Sequence, residues 1–224
     1  DSKTNIFELY QGGIGLGEKE YYLEDDEATK NIREEYKKHI VKMFQLAGMD
    51  EAKATKSMEA VMEIETRLAK VSYSAVEQRN PAANYHKMTL DELKKEIPGF
   101  DWDAYLNKLG VQGVTSLNVS QIPPVKESVA IINTLPMDKQ IAYLQWKLID
   151  SAASYLSDDF VAQNFAFYGK VLSGKQEDQP RWKKAVSTVN GVLGEAVGQM
   201  YVEKYFPAAA KERMTQFVKN LQVA

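Results

Sequence analysis

The stretch Arg181 to Pro207, RWKKAVSTVNGVLGEAVGQMYVEKYFP, constrains the fold more than any other part of the chain. Trp182, Ala185, Val186, Val189, Leu193, Ala196, Val197, Met200 and Tyr201 recur at steps of three, one and four, which marks one apolar face of a helix. Pro180 suits a helix start, where its missing N–H costs nothing, and Pro207 lies just past the other end. Gly191, Gly194 and Gly198 fall on a second stripe inside the helix. Each costs about 1 kcal/mol relative to Ala, so three of them predict a second helix lying close along that stripe. A helix packed on two faces is central. The expectation is an all-helical core with residues 180–205 in its middle.

The rest of the chain agrees with that class. Its 224 residues are enough for a sizeable core in one helical domain spanning 1–224. Hydrophobic content of 44% and charged content of 26% are those of a globular protein. A net charge of −3 argues against a nucleic-acid surface, which carries a basic excess. No apolar run approaches the roughly 20 residues that span a bilayer, and no signal-peptide pattern opens the chain. The first residue is Asp1 rather than Met, so processing or trimming is expected and a targeting segment would not be visible.

Along the chain, a short strand is predicted near residues 4–10, with a partner lying upstream of residue 1 if none lies within. A glycine turn follows. Ala28, Ile32, Tyr36, Ile40, Phe44 and Ala47 make a fourfold stripe that begins near Asp26 and ends at Gly48. Asp50 caps the next helix, whose inner face is Met58, Val61, Met62, Glu65, Leu68 and Val71; Glu65 there is either a partnered buried carboxylate or a rim residue. Residues 77–88 read as a loop. Thr89 and Glu92 fit a capping box, and Asp101 caps a short helix through Trp102, Tyr105 and Leu109. Val114 to Ile122 alternates as a short strand, after which Pro123-Pro124 predicts an extended turn. Helices follow at about 125–134, 137–156, 158–172, 180–205 and 208–221. Ile141, Leu144, Leu148 and Tyr155 are the expected inward face of the second, and Ser157 the cap of the third. The fold class is mostly α, a multi-helix bundle with at most one or two short strands.

Few residues carry chemistry. With no cysteine, disulfides, thiolate metal sites and a Cys nucleophile are excluded. Gly12-Gly13-Ile14-Gly15-Leu16-Gly17 lacks the spacing of a dinucleotide loop and the Gly-Lys-Ser/Thr end of an ATP loop, and Glu18 and Glu20 would repel an anion. It reads as a structural turn. His39 and His86 are the only histidines; His39 reads as a surface or half-buried residue, His86 as a hydrogen-bonding loop residue, and neither sits in a His-Glu-x-x-His pattern. Glu24 to Glu27 is a solvated helix start rather than a calcium loop. Asn118-Val119-Ser120 matches a glycosylation acceptor by pattern alone. Tyr21, Tyr22, Tyr36, Tyr73, Tyr85, Tyr105, Tyr155, Tyr168, Tyr201 and Tyr205 read first as core aromatics whose hydroxyls find partners, and second as the lining of a peptide cavity. No catalytic, metal or cofactor residue is assigned.

Several segments together resemble the neprilysin and endothelin-converting-enzyme family of zinc endopeptidases. They are Gly15 to Tyr22, Arg79-Asn80-Pro81 with Tyr85 to Leu90, Phe100-Asp101-Trp102, Arg181-Trp182-Lys183, Gly194 to Gly198 and Tyr201 to Phe206. Their order and spacing follow the family over nearly the whole chain, nearest to its bacterial oligopeptidases. The chain departs in two ways: it has none of the disulfides of animal members, and Gly17-Glu18 stands where a Pro often follows the first Gly-Leu pair. The resemblance implies a fragment. Such enzymes pair a thermolysin-like catalytic domain, with His-Glu-x-x-His and a bound zinc, with a helical domain that encloses the active-site chamber and admits only short peptides. This chain is similar to that helical cap. Zinc, catalytic glutamate and oxyanion stabiliser are then expected in a catalytic domain beyond Ala224, with that domain and peptide substrates as partners. An exported, periplasmic or envelope-associated location is also implied. The alternative is a stand-alone helical interaction module that binds a partner through a groove.

Overall fold

The computed structural model describes residues 5–223. The chain divides into two compact units, residues 1–176 and residues 177–224. The fold is mostly helical, with three short strands among the described residues.

The first unit opens on β1 (Phe7–Leu9), followed by a glycine turn and α1 (Glu20–Leu23). Two long helices come next, α2 (Glu27–Leu46) and α3 (Glu51–Val71). Each starts where an aspartate can accept free amides: Asp26 accepts from the Ala28 and Thr29 N–H groups, and Asp50 from that of Lys53. The acidic run at 24–27 is therefore the solvated helix start its pattern predicts. After α4 (Ala75–Gln78) and β2 (Lys87–Thr89) comes α5 (Leu90–Glu96), opened by the expected reciprocal Thr89–Glu92 capping box. Asp101 caps α6 (Trp102–Lys108). Then follow β3 (Ser116–Val119), α7 (Ile122–Thr134) and α8 (Met137–Ala152). A 3₁₀ turn (Ala153–Tyr155), α9 (Asp158–Asn164) and a π-helical stretch (Phe165–Leu172) complete the unit.

The sheet supplies the first correction. β1 finds its partner inside the chain: it pairs in parallel with β3, Phe7 opposite Leu117 and Leu9 opposite Val119. β2, inside the stretch expected as loop, pairs antiparallel on the other side of β3, Met88 opposite Leu117. Three-residue strands carry too little alternation to announce themselves. The expected strand start at residue 4 lies outside the described residues. Phe7, Leu9, Met88, Leu117 and Val119 pack on Leu93, Ile97, Trp102 and Val129. The Pro123-Pro124 pair also differs from expectation. Both prolines lie in the first turn of α7, where a missing N–H breaks no helical hydrogen bond.

The main core joins α2, α3, α8 and the π-helical stretch through Tyr36, Ile40, Met43, Phe44, Val61, Trp146 and Phe167. The inward face of α8 is Ala142 and Trp146, with Tyr143 and Ile149 beside them and Ala153 of the 3₁₀ turn continuing it. Ile141, Leu144, Leu148 and Tyr155, the face expected inward, all stand exposed. Helix α8 has two apolar faces, and periodicity cannot say which one the neighbouring helices cover.

The second unit holds α10 (Arg181–Tyr205) and α11 (Ala208–Val223). The helix limits match expectation. Neither helix has a buried residue, Trp182 is 64% exposed, and a Cβ added at Gly191, Gly194 or Gly198 meets nothing within 4 Å. Within this unit, α10 has no residue buried by α11. Its glycines bracket a kink: Leu193, between Gly191 and Gly194, leaves helical geometry at φ −118° and ψ 18°.

The reassigned face of α8 is testable by urea unfolding of the chain. Trp146→Ala should cost about 3–5 kcal/mol, while Leu148→Ser should stay within about 0.5 kcal/mol. Comparable losses for both would restore the inward assignment of Leu148.

Candidate functional site

The most organised polar site lies where the glycine turn meets α2 and α3. Glu65 is fully buried. The Tyr22 hydroxyl donates to its carboxylate at 2.6 Å, and the Tyr36 hydroxyl at 3.0 Å. Tyr22 in turn accepts the Gly15 and Leu16 amides at 3.0 Å, and Tyr36 accepts the Trp146 indole N–H at 3.1 Å. Tyr143 donates to the Gly13 carbonyl at 2.7 Å. A Cβ at Gly15 would overlap the Tyr36 hydroxyl, and Gly13 and Gly17 hold φ of +92° and +84°. The glycines are therefore packing and turn devices. The Gly15 and Leu16 amides that a phosphate would need are bound to Tyr22.

Burial pushes the Glu65 carboxyl above its ordinary range, against the opposing pull of the Tyr22 hydrogen bond and the Lys147 charge. Burial, then the Glu65 charge, pushes the Tyr22 and Tyr36 hydroxyls up, so both remain donors. Burial also raises the Asp150 carboxyl, on the inner side of α8. The reading of Glu65 as a partnered buried carboxylate holds.

His39 corrects its expectation. It is 1% exposed rather than a surface residue, because α2 is covered on the side of α8 and the π-helical stretch as well as on that of α3. Its ring stacks on Phe167 at 5.0 Å and meets Trp146 and Tyr168 edge-on. Its Nδ1 lies 3.1 Å from the Gln163 amide nitrogen, which makes Nδ1 the acceptor and puts the proton on Nε2. Burial pulls its pKa down to about 4. His86 bonds as expected: its backbone N–H donates to Asn118 Oδ1 at 2.7 Å, and its Nδ1 lies 2.9 Å from the Val119 carbonyl.

Asn118 is buried, and its side chain is held by His86, Glu8 and Ser120, so the folded chain offers no glycosylation acceptor there. Of the tyrosines, Tyr22 and Tyr36 are core, while Tyr85, Tyr155, Tyr201 and Tyr205 are exposed. Among the described residues no three His, Cys, Asp or Glu side chains gather to hold a metal ion. His39 sits among aromatic rings and His86 on the sheet, so these residues do not fit a zinc site. The polar network ties α1, α2, α3 and α8 together, and among the described residues it pairs no nucleophile with a base.

Comparison with known proteins decides the family. The N-terminal model of peptidase family M13 matches residues 1–224. The chain belongs to peptidase family M13. Human endothelin-converting enzyme 1 is 28% identical over 233 residues, covering 100% of this chain and 30% of that protein. The open-state structure of Mycobacterium tuberculosis zinc metalloprotease Zmp1 is 33% identical with a TM-score of 0.88, covering 99% of this chain and 35% of that one. PepO from Lactobacillus rhamnosis, at 20% identity and a TM-score of 0.78 over 98% of this chain and 35% of its own, shares the fold. The chain thus spans about a third of the length of these M13 relatives. The segments that carried the resemblance lie within the matched region, and the neprilysin-like assignment stands.

Two outcomes follow. Glu65→Leu orphans two buried hydroxyls and should destabilise the chain by about 1–3 kcal/mol for each, read by urea unfolding at pH 7; an unchanged midpoint would remove the network from the account. The second concerns pH. The unfolded His39 titrates near its ordinary 6.5, above its folded value of about 4, so the unfolded chain binds more protons in that window. The stability His39 contributes is present above pH 6.5 and is lost as pH falls towards 4. The raised Glu65 and Asp150 carboxyls act in the opposite sense, favouring the fold as they are protonated. His39→Phe should therefore abolish an acid loss of about 3 kcal/mol between pH 6.5 and 4. An identical pH profile in the variant would contradict it.

Proposed function

We propose that this chain is the helical lobe of an M13 zinc metalloendopeptidase that acts on short peptides. In this reading the lobe covers the active-site chamber and limits substrate size, and the chemistry belongs to a catalytic domain outside these 224 residues. The observation that carries it is the family match over residues 1–224 of a chain that spans only about a third of its relatives. Two relatives are named for what they do, one as an endothelin-converting enzyme and one as a zinc metalloprotease. Zinc belongs with that missing domain, and no catalytic step is assigned to the residues described here.

What this chain contributes is form. The Glu65–Tyr22–Tyr36–Trp146 network ties loop, α1, α2, α3 and α8 into one block, which suits a wall that must keep its shape while peptide binds. A chamber wall also excludes bulk water from the chemistry. The uncovered apolar faces of α10 and α11 suit contact with the catalytic domain. An exported or envelope-associated site of action goes with this reading through family resemblance. No described helix is long and apolar enough to cross a membrane.

The same uncovered faces would serve the alternative, a stand-alone module that binds a partner through helices. A polypeptide carrying this chain and the catalytic domain separates the two. It should cleave a fluorogenic peptide of about ten residues, and should spare the same sequence in the exposed loop of a folded carrier protein by at least a hundredfold in kcat/KM. Equal cleavage of both would overturn the size-limiting role, and cleavage of neither would favour the interaction module.

A further inference from the structure

Among the described residues, three buried side-chain atoms lack a hydrogen-bond partner: His39 Nε2, Tyr168 Oη and Asp150 Oδ1. All three belong to one seam inside the first unit, between α2, α8 and the π-helical stretch. The His39 ring meets Trp146 edge-on at 5.6 Å and Tyr168 edge-on at 5.4 Å. Asp150 stands one helical turn beyond Trp146 on α8. Burial, then the Asp150 charge, pushes the Tyr168 hydroxyl up, so this carboxyl and hydroxyl are neighbours. They are not at bonding geometry, since Tyr168 Oη and Asp150 Oδ1 are both left without a partner. Native interiors leave few buried polar groups unsatisfied. Three in one seam point to a shared partner.

The chemistry of the three atoms selects that partner. His39 Nδ1 accepts from the Gln163 amide, so Nε2 carries the proton and only donates. Asp150 Oδ1 accepts, and the Tyr168 hydroxyl does either. Tyr36 is already engaged, giving its proton to Glu65 and taking that of the Trp146 indole. A cation would face the Nε2–H, and among the described residues no third His, Cys, Asp or Glu side chain gathers to hold one. An anion would face the Asp150 carboxyl. A small neutral molecule that both donates and accepts satisfies all three, and water does so with the two to four polar partners usual for an internal site.

We propose that His39 Nε2, Tyr168 Oη and Asp150 Oδ1 line an internal water site, where one water accepts from His39, donates to Asp150 and takes its third bond from Tyr168. The site ties α2 and α8 to the π-helical stretch, the last element of the first unit. Short π-helical insertions frequently mark places with a specific task. Here the insertion sets Phe167 and Tyr168 against His39.

The presence of only two histidines makes the test direct. Their rings hold opposite tautomers, since His86 Nδ1 faces the Val119 carbonyl and must donate to it, so nitrogen shifts of the 15N-histidine-labelled chain tell them apart. At pH 7 the His39 Nε2–H should be visible, slow to exchange, and should show a rotating-frame cross-peak to water. That cross-peak should persist in Tyr168→Phe, where the water keeps two of its three partners. Its loss in Tyr168→Phe would mean that it came from the hydroxyl, and would overturn the proposal. Cross-peaks to the Trp146 or Tyr168 ring protons with none to water would also overturn it, assigning the Nε2–H to a ring face. An Nε2–H lost to rapid exchange would do the same by showing a seam open to bulk solvent. As an independent count, oxygen-17 relaxation dispersion should show one fewer long-lived water in the His39→Phe, Asp150→Leu double variant than in the unaltered chain. An equal count in a folded variant contradicts the site, and if the variant does not fold the spectrum of the unaltered chain decides alone.

Discussion

Glu65 sits on α3 with no solvent access, and two tyrosine hydroxyls from two other helices donate to it. Much of the first unit depends on that arrangement. Tyr22 carries the constraint to the backbone of the glycine turn, and Tyr36 carries it to Trp146 on α8. An apolar residue at position 65 could fill the volume but could not fix the direction of either ring. A buried carboxylate is tolerable here because its donors are already in place. Gly15 is part of the same device, since any side chain there would displace the Tyr36 hydroxyl.

A braced block with apolar faces left over is an incomplete packing problem. The sheet cluster around Leu117 and the aromatic cluster around Trp146 are satisfied inside the first unit. The outer row of α8 is not, and within the second unit neither α10 nor α11 buries a residue. Those surfaces are too apolar and too regular to be simple solvent faces. The chain spans about a third of the length of its M13 relatives.

Much of this was legible in the sequence, for local reasons. The caps at Asp26, Asp50, Thr89 and Asp101 announce helix starts because the hydrogen bond lies within three residues of the cap. The glycine turn was likewise readable from residue type, and stripe position put Glu65 on the inner face of α3 while leaving burial and rim both open. What failed was non-local. The partner of β1 is 110 residues away, on β3. His39 is buried by a π-helical stretch that periodicity cannot announce. Helix α8 is the hardest case, because it carries two apolar stripes and only one of them packs on the core. A stripe reports that burial is favourable and says nothing about which polypeptide segment provides the cover.

The central claim is that this chain builds a peptidase chamber wall and holds none of the chemistry. The most direct test is zinc content by mass spectrometry of the purified 224-residue chain, after saturation with zinc and exhaustive dialysis, with peptide cleavage assayed on the same sample. The account predicts far less than one zinc per chain and no cleavage above buffer. One tightly held zinc per chain together with turnover of a short peptide would contradict it.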